Sequence, residues 1–371
     1  MSRLVRALRA DYRRRHRSAI RVVRAAQAGS LWGFDMNREQ AVSYVAGVWQ
    51  IGLRREPRSA ESDPWVNALV EGRLTADRLV DAVLECDEYK ARVGVRPNFP
   101  IGHFYSSIVD PRTVKDYVHR ERKQQPTEIP GISFDFPAMR DFWLKNLDFI
   151  KTTPFIDTPD PQGNRYCYLG GPFPYADAIT LRTMIHHLQP RRIIEIGSGY
   201  STACMLDSAE HMGLTNLQIT CVEPNAERLR SVLRAADSKI VNIIEDLVQN
   251  VPPSAVDELE PNDILFIDSS HVLKTGSDVH YEIFHLLPRL KKGVVVHFHD
   301  IMYPFEYPDE WIEQNYSWNE CYFLRSFLMY NQQFKIKFWN PLFARRYLAE
   351  IRDEFPLFLR NTGGSIWIER V

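Results

Sequence analysis

The stretch that decides the fold is RIIEIGSGYST, residues 192–202. An apolar run interrupted by Glu195 leads into two glycines, Gly197 and Gly199, with Ser198 between them. Glycines allow the backbone to turn sharply and to approach a ligand closely, and the helix that follows presents free N–H groups at the same place. Such a turn holds a dinucleotide's pyrophosphate, the amino-acid part of a methyl donor, or no ligand at all.

A repeating order of apolar strands and helices follows residue 176. The strands read RRIIEI, LQITCVE, KIVNIIE, DILFID and GVVVHFHD, and most are nearly continuous in Val, Ile and Leu. Such runs are typical of a parallel sheet that helices cover on both faces. Right-handed crossovers then predict a doubly wound α/β sheet whose ligands lie at the carboxyl ends of its strands. Two late strands, 334–340 and 365–371, are expected to pair antiparallel at the sheet edge.

Changes in composition divide the chain into four predicted segments. They are a basic arm at 1–34, a small helical domain at 35–93, a linker at 94–135 rich in proline and charge, and an α/β domain at 136–371. The small domain is predicted to be helical because apolar residues recur at three- and four-residue spacing, with Thr75 as a helix cap.

Composition limits the class of protein and its partners. Of the 371 residues, 44% are hydrophobic and 25% are charged, which predicts a soluble globular fold. Five scattered cysteines, with no signal core and no membrane-spanning run, predict a reduced, cytoplasmic protein.

The first 30 residues hold nine arginines against one acid. This arm is expected to be solvated or to contact a membrane surface or a protein, not nucleic acid. A homo-oligomer stays an open expectation.

Two residues near the turn favour a nucleoside ligand over a dinucleotide. A dinucleotide fingerprint has a third glycine three positions after Gly199, where this chain has Thr202. The second strand ends at Glu223, and a carboxylate at this point can accept hydrogen bonds from both ribose hydroxyls. The turn and Glu223 together predict a nucleoside site at this edge of the sheet.

Ionisable residues follow the fourth and fifth strands. Asp268 and His271 come after the fourth strand, and His299 and Asp300 end the fifth. Because these strands are expected to end side by side, the four side chains are predicted to converge. Asp268, His299 and Asp300 form a candidate site for Mg²⁺ or Mn²⁺. His271 is a candidate general base, with Asp268 as its catalytic neighbour.

These features resemble the class I S-adenosylmethionine-dependent methyltransferases. The acid two residues before Gly197 and the GSGYS turn resemble their first motif, and a late antiparallel strand pair is typical of their Rossmann-like, seven-stranded sheet. The resemblance implies S-adenosylmethionine as the cofactor. The residues that it implies for cofactor binding are Glu195, Gly197, Ser198, Gly199, Tyr200, Ser201, Glu223, Asp246 and Asp268.

The DSSH sequence at 268–271 and the HD pair at 299–300 are similar to elements of bacterial metal-dependent O-methyltransferases, both the catechol type and those that act on macrolide sugars. This resemblance implies that His271 removes the acceptor proton, with help from a metal. It departs from the family at His299, where an acid is usual.

The acceptor is predicted to lie beside an aromatic loop after Asp300. The loop, IMYPFEYPDEWIEQNYSWNECYF, is rich in aromatic and acidic side chains, which suit a sugar ring. Glu306, Tyr307 and Trp311 are candidates for one wall of the acceptor pocket, and Tyr175 for the opposite wall. Packing of the loop alone would explain its aromatic residues equally well.

The helical domain at 35–93 resembles a small bacterial domain of unknown function that occurs beside glycosyltransferases. The resemblance rests on Arg54-Arg55-Glu56-Pro57, Trp65 and Cys86-Asp87-Glu88-Tyr89. The glycine that begins the family's first motif is missing here. The resemblance implies a link with glycan biosynthesis. The alternative is a helical packing module.

The sequence therefore predicts a methyltransferase that acts on a hydroxyl of a sugar, a polysaccharide precursor or a related small molecule. Two alternatives stay open. One is a nicotinamide-dependent oxidoreductase on a similar fold, which Thr202 and the late strand pair disfavour. The other is a non-catalytic, nucleoside-binding module.

Overall fold

The computed structural model describes residues 36–53, 55–86, 88, 99–124, 126–160 and 163–371. The chain divides into two compact units, Met1–Pro100 and Ile101–Val371. The predicted basic arm at 1–34 lies outside the described residues, as does the first part of the predicted linker.

The described part of the first unit is helical, as its spacing of apolar residues predicts. Its helices are α1 (Arg38–Gly52), α2 (Ser59–Val70) and α3 (Ala76–Glu85). Asn37 caps α1 by accepting a hydrogen bond from the backbone N–H of Gln40, whose side chain accepts one from the backbone of Asn37 in return. Thr75 caps α3, as expected. The helices bury a small core of their own that includes Tyr44 and Leu79.

The second unit carries ten further helices among its described residues. They are α4 (Pro111–Gln124), α5 (Phe136–Lys151), α6 (Tyr175–Leu188), α7 (Tyr200–Met212), α8 (Glu227–Val232), α9 (Asp278–Tyr281, continued by a π-helical turn at Glu282–Leu286), α10 (Asp309–Glu313), α11 (Glu320–Leu328), α12 (Asn340–Arg346) and α13 (Leu348–Glu354). Short 3₁₀ turns occur at Ala235–Lys239, Val248–Asn250, Pro253–Glu258, Leu287–Arg289 and Pro356–Arg360. No helix in the described part of the chain is long and apolar enough to cross a membrane.

A seven-stranded sheet forms the centre of this unit. Its strands are β1 (Arg192–Ile196), β2 (Gln218–Val222), β3 (Val241–Ile244), β4 (Ile264–Ile267), β5 (Val295–Phe298), β6 (Phe334–Trp339) and β7 (Ile366–Arg370). Their order is β3-β2-β1-β4-β5-β7-β6. The first five strands run parallel to one another, and β7 runs antiparallel to both β5 and β6. The predicted fold class is confirmed.

Burial explains why the central strands are continuously apolar. Every residue of β4 and β5 is buried, because helices and loops cover both faces of a parallel sheet. The late strand β7 is inserted between β5 and β6, so its apolar residues are buried as well. The insertion leaves β6, not β7, at the edge of the sheet.

The predicted linker differs from the structure in one respect. It contains α4, a helix of 14 residues. The helix is strongly charged, and only a short apolar stripe, which includes Val114 and the buried Val118, faces the protein. Lys115 of α4 pairs with Glu313 of α10 at 2.9 Å. A mostly polar helix with so narrow a stripe resembles a linker in composition.

Candidate active site

A cavity of about 450 Å³ opens where β1, β2, β4 and β5 end. The carboxyl ends of parallel strands are the usual place for ligands in such sheets. The cavity is lined by Pro172, Phe173, residues 196–201, residues 222–224, Arg228, residues 247–249, residues 268–271, Asp278, His299, Asp300 and Trp318. The sequence predicts ligand contacts at the ends of β1, β2, β4 and β5, and residues at all four ends line this one cavity. The end of β3, where a contact is also predicted, does not line it directly.

The turn after β1 needs glycine at position 197. Its backbone has φ +78°, a conformation that side chains disfavour. A Cβ atom there would lie 1.8 Å from the carbonyl oxygen of Asp268. Gly197 therefore lets the ends of β1 and β4 come together beside the cavity.

Thr202 completes this turn in place of a third glycine. Its hydroxyl accepts a hydrogen bond from the backbone N–H of Gly199 at 3.1 Å and donates one to Glu195. Glu195 also accepts from the hydroxyl of Ser201 at 2.6 Å. Glu195 is fully buried and does not line the cavity. It supports the turn from behind, and burial raises its pKa to about 7 despite these hydrogen bonds.

Glu223 connects the end of β2 to the glycine turn. One carboxylate oxygen accepts from the backbone N–H of Ser198 at 3.1 Å, and the other accepts from that of Asn225 at 2.9 Å. Glu223 and Ser198 both line the cavity. The hydroxyl of Ser198 is buried and has no hydrogen-bond partner among the described residues.

His271 lies at the centre of a cluster of acids. Its Nδ1 is 2.8 Å from Glu320 Oε2, and its Nε2 lies 3.6 Å from Asp268 Oδ1 and 3.6 Å from Asp300 Oδ2. His271 and Asp300 both have a left-handed backbone, with φ of 60° and 57°. Non-glycine residues in this region are strained by about 1–3 kcal/mol each, and such strain is common at functional sites.

The charges around His271 control its protonation. Burial disfavours the imidazolium, but the hydrogen bond to Glu320 and the charges of Glu320, Asp268 and Asp300 outweigh this effect and raise the His271 pKa to about 9. Burial raises the pKa of the Asp268 carboxyl, against the opposing effect of His299 and His271. The cluster therefore favours a cation at its centre.

The predicted metal ligands are not grouped as a metal centre in the described part of the chain. His299 Nε2 lies 3.6 Å from Asp300 Oδ1, and its Nδ1 is buried with no hydrogen-bond partner among the described residues. Burial opposes the charge on His299, but Asp268, Asp300 and Asp177 raise its pKa overall. No group of three His, Cys, Asp or Glu side chains in the described chain has the arrangement of a metal centre. A divalent ion at Asp268, His299 and Asp300 therefore stays a prediction.

Comparison with known sequences decides what kind of protein has this site. Residues 194–301, from β1 to the residue after Asp300, match the model of a methyltransferase domain. This match spans the glycine turn, Glu223, Asp268, His271, His299 and Asp300, in a sheet of the seven-stranded order given above. The chain belongs to the class I methyltransferases. Enzymes of this class take the methyl group from S-adenosylmethionine, so the oxidoreductase alternative is wrong.

One curated relative of this methyltransferase is an uncharacterised protein of Archaeoglobus fulgidus. The two are 30% identical over 175 residues, which make up 44% of this chain and 75% of the archaeal protein. They belong to one family.

Several solved methyltransferases resemble the structure weakly. The SAH-bound methyltransferase PaMTH1 of Podospora anserina is 15% identical, with a TM-score of 0.35, and the match covers 75% of this chain and all (100%) of that one. The O-methyltransferase TomG of Streptomyces achromogenes, in complex with SAM, is 15% identical with a TM-score of 0.34, covering 65% and 92%. An O-methyltransferase of Bacillus cereus in complex with SAH is 14% identical with a TM-score of 0.35, covering 70% and 100%. At such low TM-scores these similarities carry no argument about this methyltransferase.

Most of the residues predicted to bind the cofactor line the cavity of the methyltransferase. They are Gly197, Ser198, Gly199, Tyr200, Ser201, Glu223 and Asp268. Glu195 and Asp246 do not line it. Asp246 is exposed and accepts hydrogen bonds from the backbone N–H of Leu247 and the side chain of Asn250. The wall beyond β3 is formed instead by residues 247–249.

The predicted acceptor residues lie outside this cavity. Tyr175 donates a hydrogen bond to Asp157 at 2.8 Å, and its ring stacks on Tyr168. Glu306, Tyr307 and Trp311 line a second, aromatic cavity of about 280 Å³, together with residues of α4. Trp318 lines both cavities, and its ring centroid is 4.5 Å from that of His271.

Sequence reasoning missed three residues of the site. Glu320, which holds His271, lies 49 residues further along the chain. Trp318 lies in the aromatic loop but was not singled out from its neighbours. Arg228 lies five residues after Glu223, at the start of α8, and its charge beside a predicted nucleoside site was the available signal.

Proposed function

We propose that this methyltransferase transfers the methyl group of S-adenosylmethionine to a hydroxyl group of a small acceptor. The observation that carries the proposal is the orientation of His271. Its Nδ1 is held by Glu320, and its Nε2 is directed towards Asp268 and Asp300 in the cavity wall. An imidazole held in this way is a typical general base for a hydroxyl proton.

The donor fits the cavity in one orientation under this proposal. Glu223 would accept hydrogen bonds from the ribose hydroxyls, and the glycine turn at 197–199 would lie against the methionine part. The base would contact residues 247–249, which form the wall beyond β3. The sulfonium would then lie near Asp268 and Asp300, whose negative charges favour it.

The proposed reaction needs only protein side chains besides the donor. The neutral imidazole of His271 removes the hydroxyl proton through Nε2 while the acceptor oxygen attacks the methyl carbon. The carbon–sulfur bond breaks, and S-adenosylhomocysteine leaves. The imidazolium that forms is stabilised by Glu320, Asp268 and Asp300. Positioning accounts for much of the rate, because the methyl group is already activated by the sulfonium.

Donor binding prepares His271 for this role. Without the donor, the surrounding acids raise the His271 pKa to about 9. A bound sulfonium places a second positive charge among the same acids, and like charges disfavour the imidazolium. The donor therefore favours the neutral base before the acceptor reacts.

The acceptor is proposed to be a sugar, a polysaccharide precursor or a related ring compound. The aromatic cavity supports this, since Tyr307, Trp311 and Trp318 offer ring faces and Glu306 offers a hydrogen-bonding carboxylate. Trp318 adjoins both this cavity and His271, so a ring bound against it would present a hydroxyl to the base. The resemblance of the helical domain at 35–93 also fits glycan biosynthesis.

The proposal is tested by incubating the full-length protein with methyl-labelled S-adenosylmethionine and panels of catechols, monosaccharides and nucleotide sugars. We expect label on an oxygen of a ring acceptor and a raised acceptor KM in Trp311→Ala, with Trp65→Ala, in the first unit, as the control. Label on nitrogen, or no transfer despite donor binding, would contradict the proposal. Parallel assays with Mg²⁺ and with EDTA test the mechanism, because a rate that falls with EDTA would contradict proton removal by side chains alone.

A further inference from the structure

We propose that Arg228 binds the carboxylate of the donor's methionine part and so selects for an intact amino-acid tail. The inference rests on the proposed function only in taking S-adenosylmethionine as the donor, and it does not depend on the acceptor.

The position of Arg228 follows from its packing against the glycine turn. Arg228 is the second residue of α8 and lines the donor cavity. A Cβ atom on Gly199 would lie 3.0 Å from Arg228 Cδ and 3.5 Å from its Cγ. The aliphatic part of Arg228 therefore passes directly over Gly199. The absence of a side chain at position 199 leaves room for it.

The charge of the Arg228 guanidinium is felt at the end of the cavity that is proposed to hold the methionine part of the donor. Burial raises the pKa of Asp268, and Arg228 is among the charges that oppose this rise. Asp268 touches the glycine turn through its backbone, because its carbonyl oxygen lies against Gly197. The charge of Arg228 therefore reaches the side of the cavity that holds the turn and Asp268.

The guanidinium of Arg228 has no partner among the described residues. No hydrogen bond or ion pair joins it to another described side chain, whereas Arg230, two residues later on the same helix, donates to both oxygens of Glu245. Among the described residues that line the cavity, Arg228 is also the only arginine or lysine. Arg228 is exposed, so its guanidinium is solvated in the free protein and is available to an anion of the ligand.

The chemistry of the donor leaves one group for this role. S-adenosylmethionine carries a sulfonium, an ammonium and a carboxylate. The acids of the cavity, Glu223, Asp268, Asp278 and Asp300, suit its two cations and its ribose hydroxyls. The carboxylate is its only anion, and a guanidinium matches a carboxylate with two parallel hydrogen bonds.

The test compares two ligands and two arginines by calorimetry on the full-length protein. S-adenosylhomocysteine carries the carboxylate, and 5′-methylthioadenosine has the same nucleoside without the amino-acid tail. In Arg228→Gln we expect S-adenosylhomocysteine to bind about tenfold more weakly, the size of one lost charge-assisted hydrogen bond, with 5′-methylthioadenosine unchanged. Arg228→Lys should fall between, and Arg230→Gln should bind both ligands like the wild type.

Each other outcome overturns the inference. If Arg228→Gln lost the same affinity for both ligands, Arg228 would either contact the nucleoside or be needed for folding. No loss for either ligand would show that the carboxylate binds elsewhere. If neither ligand bound to the wild type, the donor itself would be wrong, and the proposed function would fail separately from the role of Arg228.

Discussion

His271 Nδ1 and Glu320 Oε2 lie 2.8 Å apart, and both side chains are almost completely buried. Glu320 begins α11, and the backbone N–H of Glu320 also donates to the carbonyl oxygen of His271 at 3.2 Å. The side-chain contact fixes the plane of the imidazole, and the backbone contact fixes the loop that carries it. Together they direct Nε2 of His271 towards the cavity.

Replacement of Glu320 by glutamine should change how methyl transfer depends on pH. Burial disfavours the charged imidazole, and the hydrogen bond to Glu320 is the largest effect that raises the His271 pKa. Glu320→Gln should therefore move the rise in rate to lower pH. The rate at high pH should fall about tenfold or more, because the ring is held less well. The measurement is kcat against pH, with the exposed Glu313→Gln as the control. If kcat fell by the same factor at every pH and the pH at which it rises did not change, Glu320 would have only a structural role.

The free energy of unfolding should fall as the pH rises, because of the ionisation of Glu195. Burial raises its folded pKa from the ordinary value of 4.5 to about 7. Between these values the unfolded chain releases a proton that the folded protein keeps, so stability falls across this window and is constant above it. The loss amounts to about 3 kcal/mol. Glu195→Gln should remove this slope.

The measurement for Glu195 is urea unfolding of the wild type and Glu195→Gln from about pH 4.5 to about pH 8, read as the difference between the two. The exposed Glu258→Gln serves as the control. A difference that does not change with pH would show that Glu195 ionises normally in the folded protein.

Alanine at position 197 should disrupt the donor cavity. Its Cβ would meet the carbonyl oxygen of Asp268 at 1.8 Å, on a backbone with φ +78°. Gly213 is the matched control, since it has φ +65° with nothing within 4 Å of an added Cβ. We expect Gly213→Ala to cost about 1–2 kcal/mol of stability from strain alone. Gly197→Ala should cost more and should also weaken binding of S-adenosylhomocysteine. Equal stability losses in chemical unfolding would refute the close approach of β1 and β4.

Arg165 should be essential for the stability of the second unit. Its guanidinium, only 2% exposed, pairs with Asp207 at 2.7 Å and with Asp237 at 2.6 Å, both buried. Arg165→Met leaves these carboxylates uncompensated and should cost about 3–5 kcal/mol. The half-exposed pair of Arg289 and Asp257 provides the control, for which Arg289→Met should cost less than about 1 kcal/mol. Similar losses in urea unfolding of the two variants would contradict this account.

The sheet could be predicted because its pattern is local. Each parallel strand is a short apolar run followed by a glycine or an acid, and burial on both faces requires such a run. The convergence of Asp268, His271, His299 and Asp300 at one edge also follows from strand order alone. Thr202 was informative in a similar way, because the missing third glycine disfavoured a dinucleotide as the ligand.

The remaining features depend on contacts between distant segments. Glu320 reaches His271 because the start of α11 meets the loop after β4, where the backbone N–H groups of Asn319 and Glu320 donate to the carbonyl oxygen of His271. No local pattern around Glu320 marks this contact. The aromatic loop was predicted to line the pocket, but its rings gather with α4 into a cavity of their own. The motif predicts that Glu195 contacts the ligand, yet hydrogen bonds from the hydroxyls of Ser201 and Thr202 hold Glu195 behind the turn.

We propose that this class I methyltransferase uses His271 as the base, beside a donor cavity at the ends of β1, β2, β4 and β5. The most direct test is the single-turnover rate of methyl transfer, at saturating S-adenosylmethionine and with an established hydroxyl acceptor, in the wild type and His271→Ala. We expect His271→Ala to lose about 10²–10⁴-fold in rate, while its affinity for S-adenosylhomocysteine stays within about twofold of the wild type, a difference of less than about 0.5 kcal/mol. A His271→Ala variant that transfers the methyl group at the wild-type rate would contradict it.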